Sequence, residues 1–110
     1  MRKEYRLNQG KEIKKVLKEG RWVNSRWFSI HYQPSVRPHS RWAVVVSRRV
    51  GKAVTRNLVK RRLREVCRQL EDELPAKWDV VVIGRKGSDR VEFSDMKEEL
   101  KKLCRRGRLL

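Results

Sequence analysis

Thirteen acids, two histidines and two cysteines leave this 110-residue chain short of the usual materials of protein catalysis. Cys67 and Cys104 lie far apart, with no Cys-x-x-Cys pair, so they read as buried free thiols of a reducing compartment. His31 and His39 do not join them at zinc-finger spacing, so no metal site built from protein ligands is expected. No phosphate-cradling Gly-x-x-x-x-Gly-Lys-Ser/Thr loop and no Gly-x-Gly-x-x-Gly occur. The acids cluster as Glu71-Asp72-Glu73 and as Glu92, Asp95, Glu98 and Glu99, which read as helix ends and solvent faces. A nuclease active site wants carboxylates converging on one cleft, so no catalytic residue is expected. No apolar run approaches a membrane span, and Met1-Arg2-Lys3-Glu4-Tyr5-Arg6 leads into no secretion-type segment. The expectation is a cytoplasmic chain forming one domain, 1–110.

What the chain does have is positive charge. Lysine and arginine number 30, for a net charge of +17. A charge-rich surface usually mixes both signs; this excess points to phosphate, hence to nucleic acid. A membrane surface fits less well, because no basic helix carries a broad aromatic-rich apolar face.

The charge is densest in Ser47-Arg48-Arg49-Val50-Gly51-Lys52-Ala53-Val54-Thr55-Arg56-Asn57-Leu58-Val59-Lys60-Arg61-Arg62-Leu63-Arg64-Glu65, with eight cations against one acid. On a helical wheel Arg56, Lys60, Arg64 and Arg68 occupy about 120° of one flank, with Asn57 and Arg61 beside them. Val59, Leu63, Val66, Cys67 and Leu70 fill the opposite flank, as an anchored helix requires. Guanidinium forks suit bidentate phosphate contacts, and Asn57 can both donate and accept toward a sugar or base edge.

Along the chain, Ile13, Val16 and Leu17 predict a helix over 10–19, stopped by Gly20. Trp22 and Val23 read as a short strand. Alternation through Gln33 then places Phe28, Ile30 and Tyr32 on one face and Trp27, Ser29 and His31 on the other. Trp27 is either a stacking platform for bases or a core residue under a helix. A proline-bounded loop follows. Arg41–Ser47 reads as a central strand covered on both faces. The basic helix is placed over 55–74, with Thr55 as its cap and Gly51 as a joint before it. Residues 79–84 form a last strand, and Gly84-Arg85-Lys86-Gly87 a plain turn. Ser94 and Asp95 are expected to cap a final helix. Arg85-Lys86 and Arg105-Arg106-Arg108 read as unspecific phosphate attraction. The order α-β-β-β-α-β-α argues for an α+β fold, a two-layer α/β sandwich.

Ser47 to Asn57, followed by Lys60-Arg61 and Arg64, resembles the signature of the bacterial ribonuclease P protein subunit. Leu7…Ile13…Val16-Leu17…Gly20, Val23, Arg26-x-Phe28 and Asp79-Val80-Val81-Val82-Ile83 followed by Arg85 resemble its other segments, in order. The resemblance implies a noncatalytic partner of a large catalytic RNA, with no obligate protein partner. That RNA and its bound Mg²⁺ remove the 5′ leader of precursor tRNA by hydrolysis, leaving a 5′-phosphate. It implies a central mixed sheet with an unusual, left-handed crossover, against the general right-handed rule. It places Arg56, Asn57, Lys60, Arg61 and Arg64 against the catalytic RNA, with Arg48, Arg49 and Lys52 just before them, and the helical wheel adds Arg68 to the same RNA-binding flank. It places Ile13, Leu17 and His31 in a cleft for the single-stranded leader. This chain departs from the family in having no aromatic ring at those three positions, so the stacking is expected to be either weaker or moved to Trp27. It also has Leu58 where the family motif has arginine.

Other classes remain. A ribosomal-type structural RNA-binding protein shares the charge and fold class. A DNA-binding module would need a helix-turn-helix pair, and strands flank the basic helix instead. A stand-alone nuclease lacks an evident acid/base or metal set.

Overall fold

The computed structural model describes residues 5–7 and 10–110; most of the stretch read for a targeting signal, 1–4, lies outside the described residues. The elements are α1 (Gly10–Glu19), β1 (Arg21–Asn24), β2 (Phe28–Pro34), β3 (Arg41–Val46), α2 (Ala53–Glu71), β4 (Trp78–Gly84) and α3 (Phe93–Arg106). Short 3-10 turns precede α2 and α3, at Arg48–Val50 and Ser88–Arg90. The fold is α+β in the expected order.

Strands β1 and β2 form a tight hairpin. The Ser25 N–H donates to the Phe28 carbonyl at 2.8 Å, and the Ser25 hydroxyl accepts from the Phe28 N–H at 3.3 Å. Arg26 and Trp27 are therefore the two-residue loop. This corrects the expected alternation: Trp27 belongs to the turn, not to the face that carries Ser29 and His31. The register pairs Trp22 with His31 and Asn24 with Ser29.

The sheet order is β1-β2-β4-β3, with β4 antiparallel to β2 and parallel to β3, so α2 bridges the two parallel neighbours. Here β3 is an edge strand, not the central one that its apolar run suggested. The run is explained by cover. Trp42 and Val46 join the main core, Ala43 joins the cluster on the other face, and the Leu7 N–H donates to the Trp42 carbonyl at 2.7 Å along the outer edge.

On the main face Phe28, Ile30, Tyr32, Val80 and Val82 pack against α2 and α3. The buried residues of α2 are Val59, Leu63, Val66, Cys67 and Leu70, the stripe read from the wheel, and each of the four aliphatic ones contributes roughly 1.5–3 kcal/mol by burial. Burial also pushes both thiols up, Cys104 to about 12. The Trp42 indole N–H donates to Glu71 at 2.7 Å, tying β3 to the end of α2.

The other face is covered more thinly, by α1. Val16 and Ile13 meet Leu7, Ala43, Val81 and Ile83. Gly20 ends α1 where it abuts β2: a Cβ there would lie 2.6 Å from the Val16 carbonyl oxygen and 2.7 Å from that of Tyr32. A polar clamp sits toward the other end of α1. Arg41 donates to both carboxylate oxygens of Asp79, at 3.2 and 3.1 Å, and to Glu12 at 2.9 Å. The Asp79 bond is the main cause of a raised Arg41 pKa, with burial opposing it and the Glu12 bond adding to it.

The expected caps are not used. Helix α2 starts at Ala53 behind Lys52, with Thr55 already inside its first turn. Gly51, at φ 153°, lets the backbone enter the helix two residues early, and the Ser47 hydroxyl caps the preceding 3-10 turn by accepting from the Arg49 N–H at 3.2 Å. Helix α3 starts behind Glu92, which leaves Ser94 and Asp95 in its first turn, where the carboxylate faces the positive end of the dipole. Helix α2 ends at Glu71, short of Leu74, which is tucked into the core.

Candidate nucleic-acid interface

Because five residues anchor one flank of α2, the opposite flank is held outward. Asn57, Arg61, Arg64 and Arg68 are exposed, and Arg56 and Lys60 are half-buried. Arg48, Arg49 and Lys52 extend this surface through the 3-10 turn, all exposed. The nine residues read from the sequence thus lie on one continuous segment. Two details qualify their availability. The Arg56 Nε is buried without a partner, whereas Arg68 is held by Glu65 through two hydrogen bonds, the Nε bond at 3.0 Å. Arg68, aided by Gln69, holds the Glu65 carboxyl down at about 2. Leu58 is 38% exposed, an apolar spot within the cations.

The second surface is the α1 face of the sheet. Register places Trp22, His31, Val81 and Ala43 in one row across the four strands, and Asn24, Ser29, Ile83 and Val45 in the next. Above them, Ile13 is half-buried against the thin core and Leu17, one turn on, is 37% exposed. Ile13, Leu17 and His31 thus share one face. The His31 Nδ1 is buried without a partner, and burial lowers the pKa of the ring. The second row ends at Val45, next to the strand end that leads into the basic segment. This partly covered face, the trough, therefore ends where the basic segment begins along the chain.

Trp27 is not in that trough. It packs against the main core, with the Arg26 guanidinium 5.3 Å from its ring centre. It lines a separate cleft of about 710 Å³ with Lys86, Gly87, Arg90, Val91, Glu92, Asp95 and Glu99. This mixed-charge wall suits a phosphate chain poorly. Two of the outlying cations expected to attract phosphate have backbone partners. Arg85 donates to the Ser25 carbonyl at 2.6 Å and Arg106 to the Asn24 carbonyl at 3.1 Å, pinning the hairpin end. Among the described residues no group of three or more His, Cys, Asp or Glu side chains could hold a metal ion, and no helix is long and apolar enough to cross a membrane.

The model of the Ribonuclease P family matches residues 1–108. The chain belongs to the ribonuclease P protein family. It is 34% identical over 110 residues to the ribonuclease P protein component of Streptococcus equi subsp. equi (strain 4047), covering all of this chain and 92% of that one. The component from Streptococcus pyogenes serotype M5 (strain Manfredo) matches over the same span at the same identity. Among solved structures, the RNase P protein from Thermotoga maritima superposes with a TM-score of 0.82 at 33% identity, covering 92% of this chain and 96% of that one. The Staphylococcus aureus RNase P protein shares the fold, with a TM-score of 0.86 at 24% identity, covering 96% of each chain.

Sequence reasoning missed where Trp22 falls, on the α1 face opposite His31. The hairpin signal was present in Asn24-Ser25: a two-residue loop after it pairs residue 22 with residue 31. Extending the alternation back to Trp27 hid that pairing.

Proposed function

We propose that this chain is the protein subunit of a ribonuclease P ribonucleoprotein, which removes the 5′ leader of precursor tRNA. The observation that carries the reading is the contiguity of two surfaces along the chain. The basic segment that leads into the cation flank of α2 begins where β3 ends, and the other face of that strand carries the surface that α1 covers only in part. The flank suits the phosphates of a folded RNA and the trough suits a single strand. Arg48, Arg49, Lys52, Arg56, Asn57, Lys60, Arg61 and Arg64 contact the catalytic RNA. Ile13, Leu17 and His31 line the path of the leader. The protein positions substrate and lowers the charge repulsion between two RNAs, while the hydrolytic chemistry and the Mg²⁺ it uses belong to the RNA partner. No residue of this chain is assigned a proton or a nucleophile.

The test is cleavage of a precursor tRNA by a bacterial ribonuclease P RNA at low Mg²⁺. Cleavage at the mature 5′ end is expected only when the protein is added. The double variant Arg61→Ala/Arg64→Ala is expected to bind the RNA more weakly, with the slope of log affinity against log salt reduced by about 2. Tight RNA binding without any rescue of cleavage would favour a general RNA-binding protein instead.

A further inference from the structure

The cleft of about 710 Å³ beside Trp27 lies on the α3 side of the sheet, opposite the trough. None of its residues takes part in the RNA contacts proposed above, yet its volume is that of a small-molecule site. Its floor is held in place. The Arg85 N–H donates to the Trp27 carbonyl at 2.8 Å, and the Arg85 side chain to the Ser25 carbonyl, which fixes the hairpin loop to the end of β4. Gly87 holds φ at 94°, and a Cβ on it would lie 3.1 Å from Trp27 Cδ1. Glycine both makes that turn and lets the indole lie against the backbone. The ring packs on the core with the Arg26 guanidinium over it. Around this ring the charges are sorted. Arg26, Lys86 and Arg90 come from the loops and are exposed, whereas Asp95 and Glu99 stand one turn apart on α3. Among the described residues no ion pair joins the two sets; Glu99 pairs instead with Lys102 at 3.9 Å, on its own helix.

A guest that satisfies both sets carries an anion at one end, N–H donors at the other and a planar ring between. A continuous nucleic-acid strand fails, because its phosphates would pass the acids. A protein segment would want an apolar lining, and here only Trp27 and Val91 are apolar. One nucleotide meets every requirement. Guanine presents two adjacent donors, N1–H and N2–H, on its pairing edge, which match the two oxygens of a carboxylate. Uracil flanks its single N–H with carbonyl oxygens, and adenine and cytosine set a bare ring nitrogen beside the amine, which a carboxylate repels. We infer that this cleft is a site for one guanosine 5′-phosphate unit, free or unpaired within an RNA. The base stacks on Trp27 beneath the Arg26 guanidinium, N1–H and N2–H donate to the Asp95–Glu99 pair, and the phosphate meets Lys86 and Arg90. The site stands apart from the subunit role and does not depend on it.

The full chain is titrated with nucleoside 5′-monophosphates while the Trp27 indole N–H resonance, assigned by its loss in Trp27→Phe, is followed by NMR. GMP is expected to bind about tenfold or more tightly than UMP or IMP, the latter lacking the N2 amine. The double variant Asp95→Asn/Glu99→Gln alters one exposed and one half-buried residue, so the fold is kept. It is expected to bring GMP down to the level of IMP. Both proteins are then tested on an RNA hairpin with one bulged guanosine and on the same hairpin with a bulged uridine. Attraction of phosphates to the basic surface cancels in that ratio. A guanine preference among the monophosphates but not the hairpins identifies a site for the free nucleotide; a preference between the hairpins identifies an RNA nucleotide. No preference in either series, or one that the double variant leaves intact, overturns the inference.

Discussion

On one face of the sheet, two long helices press a continuous set of leucines, valines and a phenylalanine into a dry layer; on the other, one ten-residue helix is held by a few aliphatic contacts and a clamp of charges. The first face is closed over its core, and what it turns outward is the backs of α2 and α3 and the cleft beside Trp27. The second is half-open, with an imidazole nitrogen left unpartnered and an indole in solvent. Stability and recognition are thus divided between the faces. The same β-branched strands β3 and β4 serve both, because alternate side chains go to opposite sides.

The contrast can be broken most forcefully from the closed side. Leu63→Ala, at a position with no exposure, is expected to cost about 2–5 kcal/mol in a denaturant titration, whereas Leu17→Ala on the open side should cost less than about 1 kcal/mol. Equal costs would mean that the open face is part of the core. Next comes the clamp. Arg41→Ala leaves the buried Asp79 carboxylate without its two donors and frees Glu12, for a loss of about 2 kcal/mol in the same titration. Because α1 forms one wall of the trough, leader affinity should fall with it even at temperatures where the protein stays folded.

The smallest effect concerns protons. Burial lowers the pKa of His31 in the folded chain, so the unfolded chain takes up its proton first as pH falls. The contribution of neutral His31 is therefore full above its ordinary pKa of 6.5. It is lost as pH drops through that value toward the lowered one. His31→Gln should flatten this part of the stability profile between neutral and mildly acidic pH. A steeper profile in the variant would contradict the assignment.

Much of this architecture is legible in the residues. The bounds of α1 follow from Gly10 and Gly20, and the buried stripe of α2 from the spacing of five apolar residues. What was not legible has physical causes. The long apolar run of β3 reads as central because both its faces are covered, but hydropathy is silent about the strand's edges. There the backbone of Leu7 supplies the cover. Caps were misplaced because Lys52 and Glu92 occupy the cap positions without side-chain bonds, so the serine and threonine signals mark nothing. Ile13, Leu17 and His31 came from the family resemblance and lie on one face of the sheet, whereas Trp27 was put on that face by carrying a period-two pattern through a turn. That one-residue error exchanged a half-buried tryptophan for the exposed one.

The strand order has a further consequence, for the sequence of events in folding. Strand β4 is made after α2 yet lies between β2 and β3. Until it inserts, the β1–β2 hairpin and β3 share no backbone hydrogen bonds, so the floor of the trough does not exist. Pairings so distant along the chain are slow, because the loop they close must be ordered first. A polypeptide whose synthesis stops before Trp78 therefore has the dense cations of its middle third but no trough. Under the proposed subunit role, attraction to RNA comes before leader recognition during translation, and the arrival of a single valine-rich strand completes the second surface.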